Sequence, residues 1–218
     1  MIDMKKLLKS YLFYIVSAFG ISLTIKANVG VSSFNSMNLA FANAFDVKVG
    51  TVTIFINSLF LLAYMWFTRF QLKKKYVIQM ISVLIFGTVI NFFTYVVLGD
   101  LVIAYYPLRL LAITAGTSIG GVAVGMIVSY NVITFPVESV CVVVSEKINR
   151  SFTFLRYMVD VFSISVSLVV SRSYQLPIYV REGTLISLII FSFVAGRVKH
   201  WYLLKQGSRG ETIELEGL

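Results

Sequence analysis

The feature that most constrains this chain is the recurrence of apolar windows separated by short clusters of Lys and Arg. A helix rising 1.5 Å per residue needs about 20 residues to cross a hydrocarbon core roughly 30 Å thick. Windows long enough for this, or nearly so, cover residues 11–25 with their flanks, 49–68, 76–99, part of the uncharged stretch 110–137, and 151–171. A sixth, 183–196 with apolar flanks, has the shortest uncharged core, and the fifth carries two charges. The 218 residues are 58% hydrophobic and 13% charged, with a mean hydropathy of +0.85, too few charges to cover a soluble surface. The expectation is therefore an all-α integral membrane protein, a single membrane domain over 1–218 in contact with the lipid bilayer, with six transmembrane helices.

The formal net charge of +9 would suit a nucleic-acid partner if the basic residues formed one face. They sit instead at the ends of the apolar windows, which argues for topology and against nucleic acid. With both termini inside, the inner segments hold thirteen basic residues (Lys5, Lys6, Lys9, Arg69, Lys73, Lys74, Lys75, Lys147, Arg150, Arg197, Lys199, Lys205 and Arg209). The outer segments hold five: Lys26, Lys48, Arg109, Arg172 and Arg181. This asymmetry predicts a multi-pass membrane protein with cytoplasmic N and C termini. Trp66 and Trp201 fall at inner span ends, where an aromatic belt would place them. Lys5, Lys6 and Lys9 precede the first apolar run as in a signal peptide, but no small-x-small cleavage site follows clearly, so a retained anchor is expected. The tail 205–218, with Gly207, Gly210 and three glutamates, reads as a solvated, disordered cytoplasmic end.

Residues 32–45 and 134–148 are apolar but too short to cross. Each opens with helix-start residues, Ser32 and Ser33 in one, Thr134 and Pro136 in the other, so both are expected to be short re-entrant or interfacial helices. Sliding the chain by 103 positions superposes these segments and the windows around them. Asn28-Val29 then falls on Asn131-Val132, Asn35 on Glu138, Ser36 on Ser139 and Asn57 on Asp160. Two three-helix repeats, 7–99 and 107–204, follow from this shift. An odd number of spans per half makes them inverted, a pattern of many secondary transporters.

The stretch from Phe19 to Leu39, with Gly20, Thr24, Ala27-Asn28-Val29-Gly30-Val31-Ser32 and Asn35, resembles the signature of the YczE/YyaS/YitT family of bacterial membrane proteins. Its second-half counterpart is similar to Pro136-Val137-Glu138-Ser139 with Leu155-Arg156 and Asp160. Two positions depart from the pattern: Asn35 stands where an Asp is common, and Asp160 where a Glu is usual. The short, membrane-only type of the family is the match. The resemblance implies a transporter of small solutes, with vitamin-like molecules such as vitamin B6 forms one suggested class.

Arg156 and Asp160 lie four residues apart on the fifth span and share one helix face. Charges at membrane depth cost about 2.5–3.5 kcal/mol each, which makes them candidates for a substrate site, the competing reading being an ion pair that fixes packing. Glu138 opens the second short helix, where the positive helix end favours a carboxylate; it is equally a helix-start residue and a substrate or proton-coupling group. Asn28, Asn35, Asn57, Asn131 and Ser139 complete the candidate substrate-binding set, as polar groups at matching positions of the two halves. No catalytic, metal or cofactor site is expected: the single Cys141 reads as an inert buried thiol, and no nucleotide-binding glycine loop occurs. Gly116-Thr117-Ser118-Ile119-Gly120 matches G-x-S-x-G, with His200 as the single histidine, but a nucleophile elbow needs a strand. Gly116, Gly120, Gly121 and Gly125 instead read as small-residue rows that let helices approach closely.

The expected function is thus secondary or facilitative transport of a small solute, a vitamin-like or anionic metabolite, at a site between the repeats. The alternatives are a non-catalytic, substrate-binding membrane subunit of a larger transport complex and, remotely, an intramembrane hydrolase. A homodimer or a partner subunit remains open.

Overall fold

The computed structural model describes residues 4–216, with side chains through residue 205. Eight α-helices form in the order α1 (Met4–Ala27), α2 (Ser33–Ala44), α3 (Val49–Phe67), α4 (Lys73–Phe92), α5 (Tyr106–Tyr130), α6 (Pro136–Lys147), α7 (Phe152–Ser173) and α8 (Glu182–Glu216). A π-helical turn, Phe93–Val97, prolongs α4. Six helices are long and apolar enough to cross a membrane: α1, α3, α4 with its π turn, α5, α7 and the Glu182–Lys205 part of α8. The sixth span, whose uncharged core looked short, is a full 24 residues because Arg197 and Lys199 sit on exposed positions near its end. The backbone of α8 is helical through Glu216, and the tail expected at 205–218 otherwise falls on side chains outside the described residues.

Local chemistry sets the helix ends. Asn28 and Asn131 take left-handed backbone, φ 52° and 50°, which ends α1 and α5 at a residue type that tolerates that conformation. Asp46 and Asn149 repeat the device after α2 and α6. Pro136 occupies the first turn of α6, where its missing N–H costs nothing, and the Ser151 hydroxyl accepts from Phe154 N–H at the start of α7. At the start of α3, the orphan N–H groups of Val49 and Gly50 reach across to Tyr95 OH (3.1 Å) and Asn91 Oδ1 (2.7 Å) near the end of α4.

These ends follow the 103-position spacing closely. Ser33 and Pro136 open the two short helices, Ala44 and Lys147 close them, and Val49 and Phe152 open the helices that follow, each pair 103 positions apart.

At the centre α1 and α5 run antiparallel: Gly20 meets Gly116, while Phe13 near the start of α1 meets Tyr130 at the end of α5. A Cβ on Gly20 would lie 2.6 Å from Gly116 O, and one on Gly116 would lie 2.7 Å from Gly20 O, so the backbones touch. Gly121 and Gly125 turn to the opposite side of α5 and admit Val194, Ala195 and Val198 of α8. The two expected glycine rows thus serve two different neighbours. Gly50 and Gly87 bring α3 and α4 together in the same manner. Each short helix packs against both α3 and α7, α2 chiefly on α7 and α6 chiefly on α3. The main core joins Tyr14, Phe86 and Ile90 to Ile127 and Ile133, with Phe135 stacked on Tyr14 at 4.6 Å between ring centroids. α7 and α8 bury little of their apolar surface, as suits helices that face lipid.

Candidate functional site

Glu138 is the third residue of α6, and Arg156 and Asp160 lie one turn apart in the first half of α7. Where α6 packs on α7 the three charges meet. Arg156 Nη1 lies 3.1 Å from Asp160 Oδ1, and Arg156 Nε lies 4.0 Å from Glu138 Oε1. The sequence spacing foresaw the first contact but could not give the second, which joins different helices.

A fourth residue completes the cluster. Ser33, the first residue of α2, donates its hydroxyl to Asp160 Oδ1. Further along the same seam, Ser167 Oγ donates to Ser36 O at 3.0 Å, so α2 runs alongside α7 from Asp160 outward. Phe45 just past the end of α2 meets Tyr174 just past the end of α7. α6 keeps a similar course beside α3: Val140 and Val143 lie against Leu61 and Tyr64, and Lys147 Nζ donates to Phe67 O at the end of α3. Both short helices therefore lie within the bundle, with their first turns in its interior.

The remaining candidates divide. Ser139 turns away from the charges towards α4, where Gln79 Nε2 donates to Ser139 Oγ (2.7 Å), Thr134 Oγ1 (3.0 Å) and Thr134 O (3.1 Å). Asn57 is buried in α3 and donates to Thr53 O of its own helix, and Asn38 Nδ2 donates to Thr53 Oγ1. Asn35 is half-buried on α2. Asn28 and Asn131 are exposed at the ends of α1 and α5, and Asn28 O accepts from Arg181. The two end asparagines are thus not brought to the charged cluster.

Spacing relates the two sets. Asn35, Thr53 and Asn57 stand 103 positions before Glu138, Arg156 and Asp160. One half carries a neutral polar set on its second and third helices, and the other carries ions at the same positions. Thr53 escaped the sequence reading because a Thr in an apolar helix commonly bonds its own turn, as it does here to Val49 O. Gln79 had a readable signal, the lone glutamine inside the third apolar window.

Four enclosed polar atoms near these clusters have no hydrogen-bond partner among the described residues: Tyr14 OH, Asn38 Oδ1, Gln79 Oε1 and Glu138 Oε2. A buried polar atom left unpaired costs about 1–3 kcal/mol, so such atoms mark places where a ligand, a proton or water completes the bonding. By contrast, the hydrolase pair is not assembled. Gly120 meets Phe191 and Gly125 meets Val198, which sets Ser118 level with the part of α8 before Phe191. His200, exposed, is nine residues beyond Phe191, roughly 14 Å along the helix.

Among proteins of known sequence, the chain is similar to the uncharacterized protein YyaS of Bacillus subtilis (strain 168), at 22% identity over 184 residues, covering 83% of this chain and 87% of that protein. No solved structure matches it. The description of DUF6198, a family of unknown function, matches residues 4–200, nearly the whole membrane region. A bundle of six membrane-length helices with two short helices and an ionic cluster inside it is what this chain contributes to that description, and the chain belongs to the DUF6198 family.

Proposed function

We propose that the protein moves a small solute across a bacterial inner membrane, by secondary or facilitative transport and without catalysis, and that the seam holding Glu138, Arg156, Asp160 and Ser33 is its substrate site. One observation carries the reading: three ionisable groups and the first turns of two broken helices converge inside the bundle, where charge is costly unless it is used. Asp160 lies eight residues into α7, about 12 Å along it, well inside a helix of membrane length.

The two halves, 7–99 and 107–204, are read as inverted repeats. Support comes from the 103-position spacing of helix ends, the antiparallel α1 and α5, and the exchange by which each short helix packs on the third helix of the other half. Such halves can rock about a shared seam and open it to either side. The Lys and Arg distribution supports termini on the cytoplasmic side.

The test is uptake of labelled vitamin-like and anionic metabolites into proteoliposomes. Wild-type protein should accumulate at least one of them, and Arg156→Ala should lower that uptake by tenfold or more. Uptake unchanged in Arg156→Ala would take the guanidinium out of the site.

A further inference from the structure

Two carboxylates share one guanidinium at this seam, and they share it unequally. Asp160 has Arg156 at 3.1 Å and the Ser33 hydroxyl as well. Glu138 has Arg156 only at 4.0 Å, through Oε1, while its Oε2 is enclosed with no hydrogen-bond partner among the described residues. Arg156 attracts Glu138 from 4.0 Å but is shared with the nearer Asp160, so it offsets only part of the cost of enclosing the carboxylate, and Asp160 adds repulsion. An enclosed carboxylate oxygen without a donor is unfavourable, and binding a proton removes that charge.

Among the described residues, no other cation acts on Glu138. From α7 the facing groups are Arg156 and Asp160, and on α6 itself Cys141 lies one turn on. From α1 comes Tyr14, whose hydroxyl is also enclosed and without a partner among the described residues. α3 and α4 present Tyr64 and Tyr76 to α6 beside Val140 and Val143, and Tyr76 OH is engaged with Thr68. α2 carries no ionisable side chain. The Glu138 side chain is 29% accessible although its Oε2 is closed in.

We propose that Glu138 is a proton-binding site, alternating between a neutral carboxylic acid and a carboxylate, with the proton exchanged with water and Arg156 held by Asp160 throughout. The proton is then the coupling ion, a role that rests on the transport reading, whereas the protonation itself does not.

Infrared difference spectra of the purified full chain in lipid, taken between about pH 8 and about pH 5, a range in which a buried carboxyl can titrate, test this directly. A carboxylic C=O band should grow as the pH falls, vanish in Glu138→Gln and persist in Asp160→Asn. Labelling the wild-type protein with 13C-glutamate should shift the same band, which assigns it to a glutamate, and its loss in Glu138→Gln identifies which one. Absence of the band, or a band that survives Glu138→Gln or is untouched by the label, overturns the proposal even if solute uptake is intact. The band as described, in a protein that takes up no solute, supports the proton site and counts only against transport.

Discussion

Ser33, the first residue of α2, donates its hydroxyl to Asp160 of α7, a residue 127 positions further along the chain. The bond ties the first turn of a broken helix to the one acid that Arg156 holds closely. Ser33→Ala should lower stability by about 1–2 kcal/mol, the range for a hydrogen bond to a charged group in a membrane bundle, while Ser33→Thr should recover most of it. Unfolding in mixed micelles measures both, and a wild-type midpoint for Ser33→Ala would show the bond to be energetically idle.

Arg156→Ala leaves two carboxylates facing one another with no cation between them. Breaking a buried pair from one side costs about 3–5 kcal/mol, and the 30% accessibility of Arg156 places this case at the lower end or somewhat below it. Combining it with Asp160→Ala should restore part of the loss, since the nearer uncompensated charge is removed too. A double-mutant cycle with no coupling would mean that the two side chains do not interact in solution.

Gly20 and Gly196 make opposite predictions from the same residue type. Gly20→Val forces a side chain into the Gly116 carbonyl, 2.6 Å from the first added carbon, and backbone cannot move aside as a side chain can. Loss of the folded, monodisperse protein on size-exclusion chromatography is expected. Nothing lies within 4 Å of a Cβ at Gly196, so Gly196→Ala should be neutral or stabilise α8 by about 0.5–1 kcal/mol.

Gln79 is a further structural hinge of the site. Its amide holds Thr134 and Ser139, which fixes the first turn of α6 against α4. Gln79→Leu removes those bonds but leaves Thr134 and Ser139 paired at 2.7 Å, so a modest loss of about 1–2 kcal/mol is expected, without collapse of the fold. Faster hydrogen exchange confined to α6 would be the matching local signature.

Orientation is open to fusion reporters. A green fluorescent protein joined after Leu218 should fluoresce and an alkaline phosphatase at the same place should be inactive, while phosphatase inserted at Asp100, between α4 and α5, should be active. The reverse pattern would invert the topology drawn from the basic residues.

Much of the fold was readable before any coordinates, and particular residues show why. The short helix expected at 134–148 is observed at Pro136–Lys147, because proline at a first turn and a left-handed asparagine after a helix are local events. The spans were legible because crossing hydrocarbon demands about 20 apolar residues in sequence, a condition written along one dimension. The Arg156–Asp160 contact was legible as well, since four residues on a helix make one face.

What tertiary structure alone decided is which faces meet. Glycines at 116, 120, 121 and 125 announced close packing, but not that the first pair would admit α1 and the second α8. Glu138 could be read as a helix-start acid, yet its 4.0 Å approach to Arg156 and its unpartnered oxygen arise only where α6 lies on α7. Ser33 and Gln79 join the candidate site for the same reason. The sequence by itself determined the elements of this protein, because local geometry and transfer into lipid act on neighbours along the chain; the partners of its charges were decided by packing, because Coulomb attraction and hydrogen bonding act on distance in space.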